Sequence, residues 1–105
     1  MLTLLRRLAR PRTPARLDGL RVTVYTRARC CCCHKALEIL REYQGRHGFA
    51  IEEVDVDSDP GLVASYGLSV PVVAFDGKVR FKGVVNPALL DRLIAAEAAA
   101  RGGVS

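Results

Sequence analysis

The sequence predicts an α/β domain with one mixed four-stranded sheet, in the order β-α-β-α-β-β-α, and helices on both faces. Three observations carry this. A short Val/Thr/Tyr run (21–26) precedes a stretch whose apolar residues recur at three and four, and a second Val/Ile run (49–57) follows. Two strands joined by a helix long enough for a crossover pair in parallel. Further on, Asp76-Gly77 separates two more β-rich runs, 70–75 and 79–83, and that dipeptide supplies the positive φ of a tight antiparallel hairpin. With 105 residues, half of them apolar, the chain suffices for one small domain. No apolar run approaches the ~20 residues needed to span a bilayer.

Residues 1–20 read as a basic, flexible tail ending at Asp18-Gly19, 21–101 as the domain and 102–105 as a short C-terminal tail. The first 29 residues hold eight of the 16 Lys and Arg but one of the 11 Asp and Glu, so the net charge of +5 belongs to the N-terminus. Those arginines flank two prolines in RPRTPAR, an extended pattern with no aromatic or helical partner, and nucleic-acid binding is not expected. The first strand is RVTVYT. The helix after it spans about 31–46, with Cys33, Ala36, Leu37, Leu40 and Tyr43 inward and Lys35, Glu38, Arg41, Glu42 and Arg46 outward. In the second strand Ile51, Val54 and Val56 are the expected buried positions. Ile51 and Val54 are out of phase, which suggests a bulge or a late start. Asp59-Pro60 and Asn86-Pro87 each combine a capping side chain with a proline that a first helical turn tolerates. The short helix after Asp59 closes near Gly67. The last helix runs to Gly102, with Leu89, Leu90, Leu93 and Ile94 as its buried stripe.

All four cysteines, Cys30 to Cys33, are consecutive. A disulfide that stabilises a fold closes a long loop, which these cannot do. They are a chemical site or an accident, in a pattern that suits a reducing compartment better than a secreted scaffold, and a cytoplasmic location is expected; a monomer is expected as well. Cys30 falls between the first strand and the first helix, at or beside the helix N-cap, where unpaired backbone N–H groups and the positive end of the helix dipole favour a thiolate. Arg27 and Arg29 add positive charge nearby. Cys33 lies one helical turn on, in phase with the buried stripe. An exposed thiolate that attacks and an inner thiol that resolves are what dithiol exchange requires.

Here the chain resembles the thioredoxin superfamily, and within it the small bacterial glutaredoxin-like proteins. The resemblance rests on VTVYTRARCCCCHKALEIL, on EEVDVDSDPGLVASYGLSVPVVAFDGK and on RFKGVVNPALLDRLI, and covers residues 21–97. It implies a thioredoxin-like fold and thiol–disulfide oxidoreductase activity on protein or low-molecular-weight disulfides, with Cys30 as nucleophile and Cys33 resolving. It also implies a cis Val70-Pro71 bond and a substrate groove at Ser69, Val70, Pro71 and Gly83. Arg27 matches a basic residue that glutaredoxins turn toward the glutathione carboxylate. Residues 82–86 carry one glycine and no acid where glutaredoxins have Gly-Gly and an acidic pair. No tightly bound cofactor is expected. Glutathione is a candidate co-substrate, and the electron donor is a thiol reductant, either thioredoxin reductase or the glutathione system.

Cys31 and Cys32 stand where neighbours tune the pair, as small apolar fillers that oxidise if exposed. His34 is four residues from Cys30, within reach of that sulfur along a helix, or simply exposed on the first turn. The acidic run Glu52, Glu53, Asp55, Asp57 and Asp59 reads as a charged sheet edge, with Glu53, Asp55 and Asp57 on one side, and no metal site is expected there. Two other classes compete with the enzyme: a soft-metal module for zinc, copper or an iron–sulfur cluster, and a thioredoxin-like scaffold that binds without turnover.

Overall fold

A computed structural model describes residues 16–101. The elements are β1 (Arg21–Thr26), α1 (Cys31–His47), β2 (Ala50–Asp55), α2 (Pro60–Tyr66), β3 (Val72–Phe75), β4 (Lys78–Lys82) and α3 (Pro87–Ala100), with a 3-10 turn at Val56–Ser58. The sheet order is β2-β1-β3-β4. β1 and β2 are parallel, while β3 is antiparallel to both β1 and β4. Asp76 and Gly77 turn the hairpin with φ of 51° and 86°.

Strand alternation assigns the faces. Val22, Val24, Val73, Phe75 and Phe81 pack in one core with Ala36, Leu37, Leu40 and Tyr43 of α1 and Leu90 and Ile94 of α3. The Tyr43 hydroxyl donates to Asp91 Oδ1 at 2.6 Å, tying α1 to α3. Tyr25, one residue out of phase with Val24, faces the other way and meets Tyr66 of α2, ring centroids 4.8 Å apart. β3 is therefore covered on both sides, and all four of its residues are buried. Asp59 Oδ1 accepts from the Gly61 amide, and Asn86 Oδ1 from those of Ala88 and Leu89, so both capping side chains act as expected.

Three expectations need correction. Leu17 and Leu20, placed in the tail, are each 1% exposed. The Leu17 amide donates to His47 O at 2.7 Å, and Leu20 O accepts from the Ala50 amide at 3.0 Å. Their side chains join the main core, so the packed chain starts ahead of β1. Residues 1–15 of the expected tail, and 102–105, lie outside the described residues. Leu89 is exposed, and the buried stripe of α3 is Leu90 and Ile94, flanked by half-buried Leu93. Finally, β2 pairs with β1 without a bulge over 50–55. Ile51 and Val54 are each half-buried, on opposite faces of an edge strand, and Val56 is buried in the 3-10 turn beyond it.

Candidate active site

The topology gathers the predicted site at one end of the sheet. Tyr25 near the end of β1 pairs with Val72 at the start of β3, and Val72 pairs with Lys82 at the end of β4. The loop 27–30, the segment Ser69–Pro71 and Gly83 therefore leave adjacent strands on the same side. The Val70–Pro71 bond is cis. The Gly83 amide donates to Pro71 O at 2.8 Å, which holds the turn after β4 against the proline. Gly83 has φ of 95°, a region that a side chain would resist. Pro71 is buried, while Ser69 and Val70 are half-buried. Two apolar side chains that sequence reasoning did not single out stand exposed beside these segments: Leu68 fully, and Val84 at 72%. An exposed apolar residue carries no periodic signal, so only the structure could reveal them.

Cys30 is the N-cap of α1, in extended conformation, and its Sγ accepts from the Cys33 amide at 3.2 Å. That amide is one of the four donors a helix start leaves without an intrahelical acceptor. Cys30 is half-buried, Cys31 and Cys32 are exposed, and Cys33 is buried; all four are free thiols. Burial pushes the Cys33 thiol up to about 12, helped by its hydrogen bond with Cys30 and by the charges of Cys30 and Cys32, against a smaller lowering from the Arg27 backbone. The two outer cysteines thus differ in burial, and the Cys33 amide serves the Cys30 sulfur. Cys32 borders an apolar pocket of about 100 Å³ with Lys35, Ala36, Ile39, Val84 and Val85.

The basic residues behave differently from each other. Arg27 leaves β1 and grips Asp57 through Nε and Nη2, at 3.0–3.2 Å, while Nη1 donates to Gly67 O at 2.9 Å. The hydrogen bonds and charge of Asp57 hold the guanidinium above its ordinary range. A Cβ on Gly67 would come within 2.6 Å of Val63 O and 3.2 Å of Arg27 Nη1, so glycine is what permits this approach. Of the two charges expected to support Cys30, that of Arg27 is therefore paired with Asp57. Arg29 is exposed, with φ of 63°. His34 is exposed on the first turn of α1, where its backbone amide reaches Cys30 O at 3.3 Å. His34 borders a second cavity, of about 200 Å³, together with Cys33, Thr26, Arg27, Glu53 and Asp55. Among the described residues, no three His, Cys, Asp or Glu side chains are arranged to hold a metal ion. No helix among them is long and apolar enough to cross a membrane.

A C-x-x-C at a helix N-terminus and a cis-proline at the same end of a sheet ordered β2-β1-β3-β4 define a thioredoxin-fold protein. Comparison with known proteins narrows this. Residues 21–95 match the glutaredoxin-like domain (DUF836), and the chain belongs to that family. An uncharacterized protein of Mycobacterium tuberculosis is 39% identical over 62 residues, 54% of this chain; the match spans 64% of that relative's length. A probable thioredoxin of Methanothermobacter marburgensis is 33% identical over 66 residues, covering 60% of this chain and 78% of the relative. Among solved structures, a structural-genomics target protein from X. campestris superposes with a TM-score of 0.61 at 28% identity, over 71% of this chain and 96% of the other. A thioredoxin from Halobacterium salinarum shares the fold at a TM-score of 0.59 and 20% identity, covering 77% of this chain and 76% of that one.

Proposed function

We propose that the protein is a dithiol oxidoreductase that reduces disulfides through Cys30 and Cys33. The observation that carries this reading is the Cys33 amide directed at Cys30 Sγ, with the Cys33 thiol buried one turn behind it. Cys30 attacks one sulfur of the substrate disulfide, that S–S bond breaks, and the first substrate thiol leaves. Cys33 then attacks Cys30 Sγ, the mixed S–S bond breaks, and the second substrate thiol leaves as the Cys30–Cys33 disulfide forms. The helix N-terminus stabilises the Cys30 sulfur as the thiolate that makes the first attack. Cys31 and Cys32 face solvent and take no step.

The same geometry favours a dithiol donor, of the thioredoxin-reductase kind, over glutathione. Arg27, the cation that would meet a glutathione carboxylate, is held by Asp57 and Gly67. The test is turnover of a protein disulfide with each reductant, for wild type and Cys30→Ser. Turnover with thioredoxin reductase that exceeds turnover with glutathione, and that is abolished by Cys30→Ser, is the expected outcome. Turnover surviving in Cys30→Ser contradicts the reading.

A further inference from the structure

Three segments leave the sheet at the cysteine end: the loop after β1, the 3-10 turn after β2 and the stretch that runs from α2 into β3. Each carries a different part of the site. The loop carries Cys30, the turn carries Asp57, and the last stretch carries Ser69, Val70 and the cis Pro71. The strand ladders stop short of all three, at Thr26 with Asp55 and at Tyr25 with Val72. The last stretch also gains little from burial, since Leu68 is fully exposed and Ser69 and Val70 are half-buried. The Ser69 amide turns back to Tyr66 O at 2.8 Å, and the Gly83 amide holds Pro71 O from the side of β4. What ties this stretch to the loop of Cys30 is Arg27.

We infer that Arg27 is a positioning residue for substrate docking, which holds the segment 68–71 at a fixed spacing from the loop of Cys30 through Asp57 and the Gly67 carbonyl. This assignment rests on the dithiol reading above and adds a residue to it. Among basic side chains, only arginine has a planar fork that serves a carboxylate and a carbonyl at once. Here Nε and Nη2 take Asp57 and Nη1 takes Gly67 O, so each of the three nitrogens is engaged within the chain. Both acceptors are themselves held in place. The Asp57 amide donates to Asp55 Oδ1 at 2.9 Å, and Ser58 Oγ donates to Asp55 O at 2.7 Å, which fixes the turn. Gly67 is the C-cap of α2, and the last carbonyls of a helix have no intrahelical donor. The ring contact of Tyr25 with Tyr66 seats the residue before Gly67 against β1 as well.

The consequence is a separation of docking from chemistry. Among the described residues, the side-chain bonds of Arg27 go to Asp57 and Gly67 and none to a cysteine. Without the clamp, the segment 68–71 holds its docking arrangement for only part of the time. The apparent affinity for a protein that lies on Val70 and Pro71 falls by that fraction. Cys30 keeps its place as the cap of α1 and its bond from the Cys33 amide, so the attack itself is unchanged. A disulfide too small to reach the groove is indifferent to the clamp. The opposite role, a cation that meets a substrate carboxylate, makes the opposite demand on Asp57. There Asp57 competes with the substrate, and removing it tightens binding. In the positioning role Asp57 is half of the clamp, and removing it weakens binding.

The test uses the reduced full chain with Cys31→Ser and Cys32→Ser as parent, so that only the outer thiols react. Insulin is the protein disulfide, and 4,4′-dithiodipyridine is a small, neutral one. Rapid mixing against rising insulin gives a half-saturating concentration and a maximal rate. Arg27→Gln and Asp57→Asn are each expected to raise the half-saturating concentration on the order of 10-fold, the scale of one lost charge-assisted hydrogen bond. The maximal rate and the rate with 4,4′-dithiodipyridine stay at the parent's values. Arg27→Lys keeps the charge without the fork and restores at most part of the affinity. A half-saturating concentration that falls in Asp57→Asn overturns the assignment, since Arg27 would then meet the substrate itself. So does an unchanged value in Arg27→Gln or Asp57→Asn, or full recovery in Arg27→Lys. Equal slowing with both disulfides, the mark of a merely structural role, overturns it too. A parent that reacts with neither disulfide overturns the dithiol reading, and this assignment with it.

Discussion

Two non-glycine residues among those described have positive φ, and they sit beyond opposite ends of β1. Asp76, at 51°, turns the hairpin beside Arg21, and Arg29, at 63°, stands immediately before Cys30. A side chain in this conformation costs about 1–2 kcal/mol. At the hairpin the cost is offset locally. The Asp76 amide donates to Arg21 O at 2.8 Å, its Oδ1 accepts from the Arg21 amide at 2.9 Å, and its Oδ2 accepts from Arg101 Nη2 at 2.8 Å. At the cysteine end Arg29 is exposed, and the loop is secured indirectly, by the neighbouring Arg27 on Asp57 and by Cys30 capping α1. One backbone device thus closes the fold at one end and presents a thiol at the other.

The largest effect separating the two ends is expected at Asp76. Asp76→Ala removes both carboxylate contacts and leaves a residue less suited to positive φ, so stability falls by about 2 kcal/mol in urea unfolding. Activity per folded molecule is unchanged. A loss below about 0.5 kcal/mol would break the contrast, because such a hairpin would not depend on its anchor.

The next effect lies at the cysteine end and appears with pH. The folded chain holds the Cys33 proton up to about 12, against an ordinary 9.0. Between those values the folded state binds more protons than the unfolded state, so stability falls as pH rises through that window and is unaffected below it. Unfolding of the reduced protein from pH 8 to 11 reads this slope, and Cys33→Ser removes the contribution. A slope unchanged in Cys33→Ser would show that the decline originates elsewhere.

Arg29→Gly is the smallest of these changes. It relieves positive φ but adds backbone freedom to the unfolded chain, so the folded state gains at most about 1 kcal/mol. A loss larger than that would mean that the Arg29 side chain is anchored, and the two ends would then be alike.

The same contrast runs through what could be read in advance. Local signals translated directly: the three-and-four spacing of α1, Asp76-Gly77 at the hairpin, and the caps Asp59 and Asn86 depend on neighbours within a few residues. Long-range partners were invisible. Leu17 and Leu20 sit in an Arg- and Pro-rich stretch, and only packing against distant core residues reveals their burial. Arg27 read as free positive charge because its partner, Asp57, lies 30 residues away. Glu53 and Asp55 read as a charged edge, which their exposure bears out, yet strand register also turns them toward the cavity at Cys33. Leu89 fitted the α3 period but fell just outside the buried arc.

The central claim is a division of labour between Cys30 and Cys33 within a run of four similar thiols. Trapping tests it most directly. Cys33→Ser is mixed with a protein disulfide substrate, quenched with acid, and mapped by mass spectrometry after digestion. The account predicts a persistent mixed disulfide on Cys30, with Cys31 and Cys32 unmodified. An adduct on Cys31 or Cys32 with Cys30 free, or rapid release of substrate from Cys30 without Cys33, would contradict it.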